Sequence, residues 1–247
     1  MNRYCIIATP RTGSHYLEDL IFRKLPKSKE NPSIKLGEFF HDEWVSYTDS
    51  DGNIRHEILH ITTPERLQYT KEIRENIKNN KNQSYVLRIF FLPFLIKNNQ
   101  IKLEEIIDFL IFLKRENFVF INLTRDIFEK TISLVVSEQT KKWHTLEDSK
   151  NIDETKFPIL ISDWHFKDKY FYLKQQEELT NEVLTLLNFH IINVHYDSLI
   201  DDCIKNQILI SDFSVYKKTY ERPYSSLIVN YNHLCDLFAC ISRIKNG

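Results

Sequence analysis

Tyr4-Cys-Ile-Ile-Ala8 runs straight into Thr9-Pro-Arg-Thr-Gly-Ser-His15, and this junction decides the fold. An apolar run of strand length breaks into a short loop holding a Pro, a Gly and hydroxyl residues. A helical pattern follows, with Tyr16, Leu17, Leu20 and Ile21 at helical spacing. Strand, tight loop and helix together make an anion site, because loop N–H groups and the helix N-terminus converge on one spot and both favour negative charge. Arg11 adds a permanent cation to the loop. The chain has only four glycines in 247 residues, and Gly13 is one of them. Glycine allows positive φ and a close approach of backbone to ligand. A plainer reading of the same residues is a strand-to-helix turn with Ser14 as its N-cap. The loop is not a Walker A sequence: it lacks the second Gly, His15 follows Ser14, and the nearest Lys is Lys24.

Working outward, 247 residues make one large α/β domain or two small ones, and 42% apolar content supports a substantial core. With 33 basic and 34 acidic residues, no global field points to nucleic acid or an anionic membrane. The four cysteines (Cys5, Cys203, Cys235, Cys240) match no zinc spacing, and Cys5 lies in the apolar strand as core. No metal-ligand cluster is visible, so no metal is expected. There is no signal-peptide pattern and no apolar run of membrane-spanning length, so a cytoplasmic location and no membrane span are expected.

Along the chain, 4–8 reads as strand, 14–24 as helix and 25–36 as loop. Asp49-Ser-Asp-Gly-Asn53 between two mixed runs is a hairpin signal. Residues 64–79 read as a charged helix, 85–91 as strand, 102–115 as amphipathic helix and 118–123 as buried strand. Residues 126–141 read as helix, 142–165 as irregular, 166–187 as a long helix, 190–195 as the last strand and 228–242 as a terminal helix. Trp164 and the aromatics of 166–172 read as packing a helix onto the core. Strands alternating with helices imply a parallel sheet with right-handed crossovers, whose ligands sit at the carboxyl ends of the strands. The loop 9–15, the segment 124–144 and the segment after Tyr196 converge there.

Leu123-Thr-Arg-Asp-Ile-Phe-Glu-Lys-Thr-Ile-Ser-Leu134 carries the second chemical signal. Arg125 leaves a strand end, and positions 126, 129, 130 and 133 share a helical face, so Ser133 and the start of the segment can serve one site. A guanidinium with a hydroxyl is a natural phosphate clamp. The alternatives are a surface ion pair of Arg125 with Asp126 or Glu129, and an ordinary helix serine at 133.

Taken together, these segments resemble the PAPS-dependent sulfotransferase superfamily. Thr9-Pro-Arg-Thr-Gly-Ser14 resembles its 5′-phosphosulfate loop, and Thr124-Arg-Asp…Ile-Ser-Leu134 its 3′-phosphate segment. Within the superfamily, Ser137-Glu-Gln-Thr-Lys-Lys-Trp-His144 and Leu36-Gly-Glu-Phe-Phe40 are similar to the bacterial trehalose 2-sulfotransferase group. So are Val86-Leu-Arg-Ile, with Arg88 where a Lys is usual, Val194-His-Tyr-Asp-Ser-Leu199 and Tyr220-Glu-Arg-Pro-Tyr224…Asn230-Tyr231. His15 stands where that group has Thr or a small residue, and 42–62 follows no part of its pattern.

The resemblance implies a P-loop-like three-layer α/β fold, with a central parallel sheet flanked by helices. It implies one domain over residues 1–247, with 37–82 as an acceptor-site insertion. The donor would be 3′-phosphoadenosine 5′-phosphosulfate (PAPS), leaving PAP as product. The reaction would be in-line transfer of a sulfuryl group to a hydroxyl of a carbohydrate, glycolipid or similar small acceptor. Arg11, Thr12, Gly13, Ser14 and His15 would hold the 5′-phosphate, and Arg125 and Ser133 the 3′-phosphate. Glu38 is the expected base, with His15 the alternative and His41 a weaker third; Arg88 would approach the sulfonate from a strand end. Trp143 and His144 would stack on adenine or line the acceptor cleft. A homodimer is left open. A nucleotide-dependent phosphotransferase, with Asp126 or Asp197 at a metal, and a non-catalytic PAP-binding protein of the same fold remain as rival readings. So does an α/β scaffold without a nucleotide.

Overall fold

The structure is a computed structural model. It describes residues 2–26, 33–39, 45–48, 54–57, 63–91, 102–140, 158–208 and 223–244. Five strands, β1 (Arg3–Ala8), β2 (Ile34–Phe39), β5 (Tyr85–Phe90), β6 (Val119–Thr124) and β7 (Ile191–His195), form an all-parallel sheet in the order β2-β5-β1-β6-β7. A separate antiparallel pair, β3 (Val45–Thr48) and β4 (Ile54–Glu57), is the hairpin expected around Asp-Gly. Among the described residues, the helices are α1 (Ser14–Lys24), α2 (Thr63–Asn79), α3 (Leu103–Arg115), α4 (Ile127–Thr140), α5 (Asp163–Leu187), α6 (Leu199–Lys205), α7 (Tyr224–Leu227) and α8 (Tyr231–Ile244). This is the α/β architecture with a helix-flanked parallel sheet that the alternating pattern implies. Among the described residues, no helix is long and apolar enough to cross a membrane.

The chain divides into two compact units. One comprises residues 1–124 and 176–211, the other 125–175 and 212–247. The first holds the sheet. Its central strands β1 and β5 are buried along their whole length, as near-continuous apolar runs covered on both faces should be.

Two departures from the sequence reading lie in β2 and β5. The loop expected over 25–36 ends early, because Ile34 already pairs with Tyr85. Arg88 is not at a strand end: it lies inside β5, flanked by Ile6 of β1 and Glu38 of β2. The strand character of β2 is hidden by a bulge. Lys35 pairs with Val86, but Gly37 pairs with the next residue, Leu87. Gly37 takes φ 73°, which glycine adopts without strain. In a regular strand, Lys35 and Glu38 would point to opposite faces. The extra residue restores them to one face, since their partners Val86 and Arg88 are two apart. That face meets α1. Phe39 falls on the other face, where its ring stacks 5.0 Å from Phe109 of α3 and 5.6 Å from Tyr69 of α2.

At the opposite end of β1, the buried Arg3 ties the sheet to its surroundings. Its Nη1 donates to the Glu116 carbonyl (3.0 Å) and side chain (3.2 Å). Its Nη2 donates to the carbonyls of Lys81 (3.1 Å) and Asn80 (3.2 Å). The guanidinium also lies over the rings of Tyr85 and Phe118.

The second unit is built on α4. Asp126 caps it, its Oδ1 accepting the Glu129 N–H at 2.9 Å. Phe128, Ile132, Val135 and Val136 form one wall of a core completed by Ile159, Ile161, Phe166, Leu227, Ile228 and Leu234. Asn230 staples this core as a backbone would. Its Nδ2 donates to the Ile161 carbonyl (2.7 Å) and its Oδ1 accepts the Ile161 N–H (3.2 Å). The long helix packs through Phe166 and Tyr170, which are buried. Trp164 does not join them: it is 75% exposed, because it leaves the buried stripe that Phe166, Tyr170 and Leu173 define.

Replacing Arg3 with Met removes its bonds to the Ile77, Asn80, Lys81 and Glu116 carbonyls and its ion pair with Glu116, and should lower the unfolding free energy by about 3–5 kcal/mol in chemical denaturation. Asn230→Leu removes both bonds to Ile161 and should cost about 1–3 kcal/mol in the same measurement.

Candidate functional site

The loop between β1 and α1 is shaped by its backbone. Arg11 (φ 65°) and Gly13 (φ 82°) are both left-handed, an arrangement that costs a non-glycine residue about 1–2 kcal/mol. Thr12 lies between them with no exposed surface, its hydroxyl donating to the Thr9 carbonyl at 2.8 Å. The N-cap of α1 is Gly13, not Ser14, and no side chain caps the helix. The first intrahelical bond runs from the Leu17 N–H to the Gly13 carbonyl, so the N–H groups ahead of it have no acceptor in the helix ladder. The first turn itself holds no acidic residue to offset the positive end of the helix dipole.

Gly13 is required on a second count. A Cβ there would meet the Tyr196 ring at 2.4 Å from Cε2 and 2.6 Å from Cδ2. Tyr196 begins the 3-10 turn that follows β7 (Tyr196–Ser198), and its ring packs directly on the loop. Burial, with Tyr196 and Cys203 nearby, raises the pKa of the neighbouring Tyr16.

Beneath the loop lies a cluster of charges. Glu18, one turn into α1, has no exposed surface. Arg88 Nε lies 2.9 Å from Glu18 Oε2, with its N–H not aimed at the oxygen, so the contact is an ion pair rather than a hydrogen bond. Lys35 Nζ lies 3.3 Å from the same oxygen and also bonds Asp19. Arg88 Nη1 lies 3.2 Å from Glu38 Oε2. His15 Nδ1 is 3.9 Å from Glu18 Oε2, and His15 Nε2 is 4.0 Å from Asp19 Oδ2. Burial pushes the Glu18 carboxyl above its ordinary value, against the opposing pull of Arg88 and Lys35. Burial also acts to raise Asp19, but Lys35, with His15 and Arg23, holds it below the ordinary value.

Three of the sequence candidates, His15, Arg88 and Glu38, thus meet around Glu18, a residue the sequence reading passed over. Arg11, Thr12, Gly13 and Ser14 form the adjoining loop. Glu38 is a strand residue paired with Arg88, not an exposed loop carboxylate. Lys35, Asp19 and Tyr196 also went unread as site residues. The available signal was Glu18 itself, since a carboxylate between Leu17 and Ile21 falls on the inward stripe of α1.

Arg125 and Ser133 belong to the second unit. Arg125 Nη2 pairs with Glu129 Oε2 at 3.5 Å, the ion pair weighed as an alternative. Ser133 is buried, and its carbonyl accepts the Ser137 hydroxyl at 2.7 Å. Asp126 is committed to capping α4. His41, Trp143, His144, the hairpin tip 49–53 and residues 220–222 lie outside the described residues.

Gly13→Ala should destabilise the protein by well over the 1–2 kcal/mol of the left-handed φ alone. Adding Tyr196→Ala should recover the steric part and leave the φ part, giving a favourable coupling in a double-mutant denaturation cycle. Asp19, held below its ordinary value, contributes stability that is present above the unfolded-state pKa and lost as pH falls through the folded one. Asp19→Asn should therefore flatten the acid limb of the stability–pH curve. Compared with known proteins, the chain matches no family model and no curated protein.

Proposed function

We propose that this protein is a PAPS-dependent sulfotransferase acting on a hydroxyl of a carbohydrate, glycolipid or similar small molecule. The observation that carries the reading is the pairing of an uncapped helix N-terminus, at a left-handed loop with a cation, with the Arg88–Glu38 ion pair beside it. Donor and acceptor chemistry each find suitable groups there. The loop N–H groups of Thr12, Gly13 and Ser14, with Arg11, hold the 5′-phosphate and stabilise charge on the bridging oxygen. Arg88 faces the transferring sulfonate. Glu38 takes the acceptor proton as the acceptor oxygen bonds to sulfur. The bond from sulfur to the bridging oxygen then breaks, leaving its electron pair on the phosphate of PAP. The family resemblance alone gives Arg125 and Ser133 to the 3′-phosphate.

The experiment is thermal unfolding with PAP, with 5′-AMP and with ATP plus Mg2+. A ligand bound only by the folded state stabilises by about 2.7 kcal/mol at a hundredfold excess over its Kd. A larger shift with PAP than with AMP is expected. No PAP shift, or a larger one with ATP and Mg2+, overturns the reading. Arg125→Ala should weaken PAP binding by about 1.5–3 kcal/mol. Glu38→Gln should lower turnover about 100-fold or more while PAP affinity is kept. Equal inertness of both forms on every acceptor would instead favour a non-catalytic PAP-binding protein.

A further inference from the structure

Glu18 is the common contact of three basic side chains from three elements. Its Oε2 meets Lys35 of β2, Arg88 of β5 and His15 of α1, and its Oε1 has no hydrogen-bond donor. His15 is distinctive because both of its ring nitrogens face carboxylates, Nδ1 towards Glu18 and Nε2 towards Asp19. A neutral imidazole has one N–H and one lone pair, so it cannot present a proton to both. The doubly protonated ring can.

The charged groups gathered here are Glu18 and Asp19 on α1, Lys35 and Glu38 on β2 and Arg88 on β5, with Arg11 in the loop and the exposed Arg23 near Asp19. The two carboxylates on α1 both lie at ion-pair distance from the ring. The helix N-terminus opposes a cation at His15 with the effect of about a half charge, and Lys35 and Arg88 offset part of the pull of the two carboxylates. Arg88 is similarly fixed. With Nε at Glu18 and Nη1 at Glu38, its orientation is set from two sides.

We propose that Glu18 is the positioning residue of the loop's anion site, holding His15 as an imidazolium and fixing the Arg88 guanidinium, so that the site takes a dianion more tightly at acid than at alkaline pH. The inference rests on the loop 9–15 being an anion site, and not on which nucleotide carries the anion. It gives His15 the part of a cation and leaves the proton-accepting role to Glu38.

The test uses inorganic sulfate, whose charge is constant over the range, at fixed ionic strength and pH about 5.5, 7 and 8.5, bracketing a histidine titration. Sulfate Kd is measured by NMR titration for wild type, His15→Gln, Glu18→Gln and Glu18→Asp, with thermal unfolding at each pH to show that each is folded. Wild-type affinity should fall about tenfold across the range, and His15→Gln should be flat. Glu18→Gln should bind sulfate less tightly than wild type although it removes a negative charge, and Glu18→Asp should restore part of the affinity. Tighter binding by Glu18→Gln, as expected of a carboxylate that merely repels anions, overturns the proposal. So does a wild-type pH profile that persists in His15→Gln, a substitution at a partly exposed position that stays informative if Glu18→Gln does not fold. Absence of sulfate binding by wild type overturns it together with the anion-site reading. The expected sulfate profile without a preference for PAP over 5′-AMP supports it and removes the sulfotransferase reading instead.

Discussion

The buried carboxylate of Glu18 is the contact on which the site in the first unit depends. Removing a charge from water costs several kcal/mol unless partners compensate, and Glu18 has Arg88 and Lys35 at ion-pair distance. Each of those cations is itself almost fully buried, so the three groups are mutually necessary. Taking any one away strands the others. Such a cluster is a weak source of net stability compared with a well-packed apolar core. What it supplies is orientation: it joins a helix to two strands through charges whose geometry admits few alternatives.

That orientation is possible only because of two backbone irregularities. The bulge at Gly37 turns Lys35 and Glu38 to the same face, and without it one of them would point into the packing around Phe39 and Phe109. The left-handed Gly13 ends the loop and leaves room for the Tyr196 ring. Two of the chain's four glycines thus stand where positive φ is needed and where the charged residues require it.

The sequence carried the fold well because its signals were periodic. The apolar runs of β1, β5 and β6 read as buried parallel strands, and α1, α3 and α4 announced themselves by spacing. Where the reading slipped, a local irregularity had broken the period. The first half of β2 reads as loop because its bulge removes alternation at the point where strand character should show. Arg88 was placed at a strand end because a cation inside a central strand is legible only once its buried counter-ion is known. The loop and Glu38 could be found as individual residues. Their link through Glu18 and Lys35 joins positions that only the parallel register of β2 on β5 brings together. Trp164 shows the converse error, an aromatic assigned to the core by composition when its place on the helix is outside the buried stripe.

Arg3 and the strand it opens bear on the order in which the molecule can assemble. β1 lies in the middle of the sheet, yet its partners β5 and β6 begin at Tyr85 and Val119, and the acceptors of Arg3 lie between Ile77 and Glu116. A nascent chain therefore carries its central strand, and Arg3 without these acceptors, until the segment from Ile77 to Phe90 has left the ribosome, and the second edge of the strand waits until Val119 and its neighbours follow. At roughly 5–20 residues per second, that is a wait of several seconds or more. During that time a short, strongly apolar segment has first both and then one of its edges open. High contact order of this kind slows folding and lengthens exposure to aggregation, so the early part of this chain is where a chaperone that shields apolar strands would act.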